Sequence, residues 1–328
     1  MKLGKQVLAL IMVFALFAAF NLSMYQLLTR RLSNNFSGAA QMKMIDVRSY
    51  LPHTEGSDLP KIDSSLKLTD HLPVLDGAAA LVPVYAAVIE NVYPKGCVTY
   101  ENGAFSDDND YGENFAEDSV MQYKNTIRGY QAIVDGTTDI LFCAAPSEEQ
   151  KRYAMEKGVD LIYVPIGLEG FVFFVNEKNP VNDLTVEQIR KIYACEYTNW
   201  LEVGGVNREI NPVTRIKGSG SQTAFEAFMG DYKIGRKSPL AIAGASIGFS
   251  FRYYMDGIVQ NDAVKMLSLN GVYPSAENIE NRSYPLVAEF YAIYRAQNDN
   301  ENIPVLIDWL LSDEGQALIE KTGYVKIH

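Results

Sequence analysis

Residues able to hold a charged group concentrate in one short stretch, Arg215 to Phe228, RIKGSGSQTAFEAF. Arg215 and Lys217 precede a Gly218-Ser219-Gly220-Ser221 turn, which runs into a helical pattern with Ala224, Phe225, Phe228 and Met229 on one face. The glycines let the backbone turn tightly and bring main-chain N–H groups close to a ligand. A helix N-terminus offers unpaired N–H donors and a partial positive charge of roughly half a unit, which suits an anion. Arg215 adds a planar fork of donors matched to a tetrahedral oxyanion. Taken alone, the stretch also reads as a Ser-capped helix after a flexible loop. It is neither a Walker loop, which ends in Gly-Lys-Ser/Thr, nor a dinucleotide fingerprint.

Covalent chemistry has little to draw on. The three histidines, His53, His71 and His328, lie outside the main body or at its last residue, so a Ser-His-Asp triad or a histidine metal site is not expected. The three cysteines, Cys97, Cys143 and Cys195, are odd in number and lack Cys-x-x-Cys spacing, so they read as small buried hydrophobes. We expect no metal, no cofactor and no enzymatic activity.

The elements that must position the loop follow from hydrophobic patterning. DILFCAAP (139–146), LIYVPIG (161–167) and GFVFFVN (170–176) read as buried strands bounded by turn residues. Helical spacing fills the segments between them, with Ser147/Gln150 and Thr185/Gln188 as capping boxes. Near the end, two helices split at Ser312-Asp313 and Gly323 stops the second. Such alternation predicts an α/β protein with a mainly parallel sheet, binding its ligand where strands end and helices begin.

The chain of 328 residues, 48% hydrophobic, is long enough for two domains. Its net charge of −11 makes it a poor nucleic-acid binder. No acidic residue precedes Ser33, and Lys2 and Lys5 lead an apolar run from Val7 to Leu28 that Arg30-Arg31 close. Residues 1–31 therefore read as a membrane anchor or a signal segment. About 20 apolar residues span a bilayer, and this run reaches that only by including Asn21, Ser23 and Gln26. Its length favours an uncleaved anchor, while cleavage and secretion also fit. Residues 32–73 are polar, broken by three prolines, and read as a linker or stalk.

The order of segments from DGAAALVPVYAAV (76–88) to VLIDWLLSDEGQALIEKTGYVKI (305–327) resembles the phosphate-binding proteins of ABC importers. Pro165–Gly170, Val175–Pro180, Leu184–Gln188 and Thr198–Trp200 match that family's central strand, Asn-Pro link, Leu-Thr helix and Thr-Asn-Trp turn, and the likeness spans about 250 residues. It implies a type II periplasmic-binding-protein fold: two lobes joined by two crossovers, with the ligand in the cleft between them. Crossovers at Ile166-Gly167 and Pro285-Leu286 would give a first lobe of 74–165 plus 287–328 and a second of 166–286. The body would lie outside the cell, as a monomer, handing a small phosphate-like anion to permease subunits.

By the same resemblance, Arg215, Ser219, Gly220 and Ser221 would hold the ligand, and Thr126 keeps a hydroxyl where the family has serine. Arg128 reads as a solvated helix arginine. Elsewhere the chain departs from the pattern. The hydroxyl-bearing first loop becomes Ala78-Ala79-Ala80, leaving the backbone N–H groups of Ala79 and Ala80 as donors. Ala144 stands where the family has a buried aspartate, and Lys217 where it has another. A buried carboxylate accepts a hydrogen bond from protonated phosphate and repels an anion without a proton, so its loss should weaken discrimination against sulfate. Two alternatives follow: a larger phosphorylated or carboxylated ligand, or a membrane-anchored sensor or surface interaction module with the same fold and a non-phosphate ligand.

Overall fold

The computed structural model describes Asn21 and residues 45–105, 111–237, 241 and 244–327. The apolar N-terminal run lies outside them, apart from Asn21. Among the described residues no helix is long and apolar enough to cross a membrane.

β1 (Leu75–Gly77) leads through a 3-10 turn, Ala79–Leu81, into α1 (Val82–Val92). β2 (Tyr100–Phe105) and β3 (Tyr111–Phe115) pair as a separate antiparallel ribbon. α2 (Asn125–Asp135), β4 (Ile140–Ala144) and α3 (Glu148–Glu156) follow. β5 (Leu161–Asn176) opens a second group: β6 (Asp183–Leu184), α4 (Val186–Tyr193), β7 (Ile210–Pro212) and α5 (Gly220–Met229). It continues with β8 (Ala245–Phe251), β9 (Val264–Met266), β10 (Ser268–Leu269) and α6 (Ala276–Glu280). The chain returns through β11 (Val287–Arg295) and ends in α7 (Asn302–Leu311) and α8 (Asp313–Lys321). Both expected capping boxes form, at Ser147/Gln150 and Thr185/Gln188.

The main sheet runs β1-β4-β11-β5-β8-β7, with β9 also on β5. It is mixed rather than mainly parallel. Only β1/β4 and β7/β8 are parallel in it, because the two strands that carry the chain between the lobes, β5 and β11, run against each other and against their outer neighbours. The runs 161–167 and 170–176, expected as two strands, are one strand of 16 residues. Its glycines do not break it: Gly167 lies directly under the Phe290 ring, where a Cβ would come within 2.3 Å. Glycine there is needed for close packing, not for a turn.

Two large cores flank the crossing. Leu75, Val84, Ile89, Phe142, Leu306 and Leu310 belong to the first. Phe171, Phe173, Tyr193, Phe225 and Phe249 belong to the second. The segment expected as a stalk over 32–73 is, from Ile45 onward, part of the first lobe. Val47, Leu59 and Leu68 are buried in its core. Backbone donors are paired as well: Ile45 N donates to Tyr123 Oη at 3.1 Å, Ile62 N to Asn91 Oδ1 at 2.7 Å, and Leu68 N to Val92 O at 2.9 Å. Its apolar residues are too widely spaced to show a period, yet each fills a place in the lobe. The C-terminal tail makes a further link between the lobes. Tyr324 packs in the first core, while Val325 packs in the second and exchanges backbone hydrogen bonds with Leu168.

Candidate functional site

Arg215 and the Gly-Ser turn sit at the start of α5, and aromatic packing holds that helix in place. Phe225 stacks on Phe249 with ring centroids 4.3 Å apart, and Tyr193 lies 4.5 Å from Phe225. Phe225, Phe228 and Met229 are buried and Ala224 is half-buried, as the helical pattern predicts. Burying a phenylalanine contributes about 1.5–3 kcal/mol, so the loop hangs on a stable element.

Ser219 caps α5. Its hydroxyl accepts from Gln222 N at 3.4 Å and donates to Ile216 O at 2.8 Å. That hydroxyl proton is therefore committed within the loop. The first N–H groups of a helix have no intrahelical acceptor, which leaves the N–H groups of Gly220 and Ser221 available at the cavity that both residues line.

Two further helix starts converge from the other lobe. In the first loop, Ala78 N donates to Phe142 O and Leu81 N to Ala78 O, so the N–H groups of Ala79 and Ala80 form the open start of the 3-10 turn. Thr126, buried at the start of α2, brings its hydroxyl. Asp76, fully buried, ties these two loops together, accepting from Gly77 N at 2.7 Å and Lys124 N at 2.9 Å.

The eight residues expected from sequence come together. Ala79, Ala80, Thr126, Ala144, Arg215, Ser219, Gly220 and Ser221 all line one cavity of about 70 Å³ between the lobes. A side chain on Gly220 would meet Thr126 Oγ1 at 3.6 Å and Ala144 Cβ at 3.8 Å, so the facing loops are one small group apart. Arg128 is exposed and outside the lining.

Arg215 is half-buried, and among the described residues no carboxylate lies within 4.0 Å of its guanidinium. Its guanidinium carbon is 5.9 Å from the Tyr254 ring centroid. Burial lowers its pKa, with Tyr254 opposing. It stays cationic, because arginine does not deprotonate in proteins at ordinary pH. Lys217 does not enter the cavity; it reaches across the cleft to Glu149 of α3 at 2.7 Å.

The wall also contains Tyr254, one of a late cluster of tyrosines in the sequence, and residues that sequence reasoning did not single out, among them Glu169, Ser250, Phe251, Glu289 and Tyr324. Tyr254 orients Arg215, and the Tyr324 hydroxyl donates to Ala80 O. Glu169 accepts from Gly170 N at 2.8 Å and Tyr253 N at 3.2 Å and pairs with Arg252 at 3.4 Å. Burial pushes its pKa up to about 7, against the pull of Arg252 and the two backbone donors. A lone acid inside the apolar run LIYVPIGLEGFVFFVN was the available signal, since such residues are buried only with partners.

Two lobes hinged on a shared sheet, with a small cavity of convergent donors between them and a cation that has no carboxylate partner among the described residues, make the arrangement of a solute-binding protein. The chain belongs to the PBP superfamily, whose domain model matches residues 104–314. Among characterised relatives it is 25% identical to protein SphX of Synechococcus elongatus over 298 residues, covering 79% of this chain and 88% of that one. It is 25% identical to the phosphate-binding protein PstS of Bacillus subtilis over 231 residues, covering 66% and 73%. The fold also matches a Clostridium perfringens protein assigned as a phosphate ABC transporter substrate-binding protein and solved with bound phosphate. That match has a TM-score of 0.55 at 24% identity, over 80% of this chain and all of the other.

Proposed function

We propose that this protein is a solute-binding component that captures phosphate or a related oxyanion outside the cell for an ABC importer. The observation that carries the reading is the meeting of three helix starts and the uncompensated Arg215 on one cavity of about 70 Å³. By the same kind of measure a water needs on the order of 10–15 Å³, so the space suits a small oxyanion with little solvent left over. Relatives described as phosphate-binding support the choice of ligand. Binding would use Arg215 for charge, the N–H groups of Ala79, Ala80, Gly220 and Ser221 as donors, and the hydroxyls of Thr126 and Ser221. No bond need be made or broken. Closure of one lobe on the other would change the outer surface, which is what a permease reads. The N-terminal segment would hold the monomeric body at the membrane.

Calorimetric titration of the full chain in detergent, with phosphate and with sulfate, tests this directly. Saturable phosphate binding is expected, reduced roughly 10- to 100-fold in Arg215→Ala, the usual worth of a hydrogen bond to a charged group. Heat that is unchanged by the substitution, or absent with both anions, would overturn the reading.

A further inference from the structure

A second cavity, of about 250 Å³, lies beside the anion cavity and shares Ala144, Phe251 and Glu289 with it. Its other walls are mostly apolar, with Phe171, Phe228, Leu286 and Val287 among them. Only methyl groups stand along this side: Ala144 at the shared wall, and Ala224 and the exposed Ala227 on α5. An inorganic oxyanion has no use for such a space.

We propose that the ligand is an organic phosphoryl compound, a phosphonate or phosphomonoester, whose anionic head sits against Arg215 and the helix starts while its substituent extends past Ala144 into the apolar annex. This deepens the reading of the anion site and rests on it. Thr223 adds a polar feature to the annex, a buried hydroxyl oxygen with no partner in the protein, positioned for a single hydrogen bond to the substituent. Glu289 sets the charge of the tail. Its carboxylate accepts from the Tyr291 hydroxyl at 2.8 Å, has the Arg282 guanidinium 4.0 Å away, and stands at the junction of the two cavities, where it disfavours a second anionic group. The substituent is therefore neutral or cationic, and short enough to stay between the lobes when they close.

The test is a titration of the full chain in detergent with inorganic phosphate and with methyl-, ethyl- and propylphosphonate, which present one head group with growing tails. Each methylene buried strengthens binding about fourfold, so affinity should rise along the phosphonate series. Ala227→Phe, which fills the annex away from the anion cavity, should flatten the series and leave inorganic phosphate binding unchanged. The series in the unmodified protein is decisive even if that variant folds poorly. Affinity that stays flat or falls from methyl to propyl, with phosphate binding still dependent on Arg215, overturns the annex while leaving the anion site standing. Absence of binding by all four compounds overturns both.

Discussion

Thr126 and Gly220 face each other across the cleft, one from each lobe, with 3.6 Å between the Thr126 hydroxyl and the place a Gly220 side chain would occupy. Gly220 is not among the residues with positive φ, so its lack of a side chain answers to space and not to backbone strain. Gly220→Val should fold with a melting temperature near that of the parent, because its methyls enter the cavity and not the core. Phosphate affinity should fall at least tenfold. If Gly220→Val binds as tightly as the parent by calorimetry, the ligand sits elsewhere.

Lys217 and Glu149 form another contact between the facing lobes, and both are exposed. Exposed pairs contribute little and are screened by salt. Reversing one charge, Lys217→Glu, should weaken ligand affinity by a factor of a few at low ionic strength, through faster release from the closed form. Adding Glu149→Lys should restore it. Stopped-flow dissociation rates at low and high salt check this, and equal rates in single and double variants would rule the latch out.

Glu169 ties stability to pH. In the fold it holds its proton up to about pH 7, whereas the free side chain releases it near 4.5. Between those values the native state binds more protons than the unfolded one. The contribution is complete below about pH 4.5 and is lost as pH rises through about 7. The parent should therefore lose more melting temperature between pH 5 and pH 8 than Glu169→Gln does. Asp76, whose pKa burial also raises, acts in the same direction in both proteins and cancels from the comparison.

Ala144→Asp should raise the preference for phosphate over sulfate. A carboxylate at this position would stand in the space that Gly220 leaves open, where it accepts from a protonated ligand and repels an unprotonated one. An unchanged ratio of the two affinities, measured by competition, would show that residue 144 does not touch the ligand.

Local physics explains which parts of this molecule were legible in advance. The α5 loop could be found as a capped helix start because glycine and serine mark one, with the family likeness deciding for a ligand, and the capping boxes because Ser/Thr and Gln three apart satisfy each other's backbone. The two lobes and the cleft rested on likeness to a family, since nothing in a linear pattern says which helix starts will meet. What stayed hidden depends on contacts between distant residues. The packing of residues 45–73, the continuity of β5 under Phe290, and the roles of Tyr324 and Glu169 all arise from partners far away in sequence. Lys217 shows the same limit from the other side: its charge was visible, while its partner on α3 was not.

If the N-terminal segment anchors the chain, as proposed above, the docking of residues 45–73 onto the first lobe limits the reach of the whole machine. Under the anchored reading, residues 32–44 lie between Arg31 and Ile45, the first residue described in the lobe. Thirteen residues at about 3.3–3.6 Å each span at most roughly 45 Å. The receptor would work on a short leash, with its first lobe held near the bilayer and its second left to swing. A carrier so confined meets its membrane partner at high local concentration and gives up the long-range foraging of a freely diffusing one.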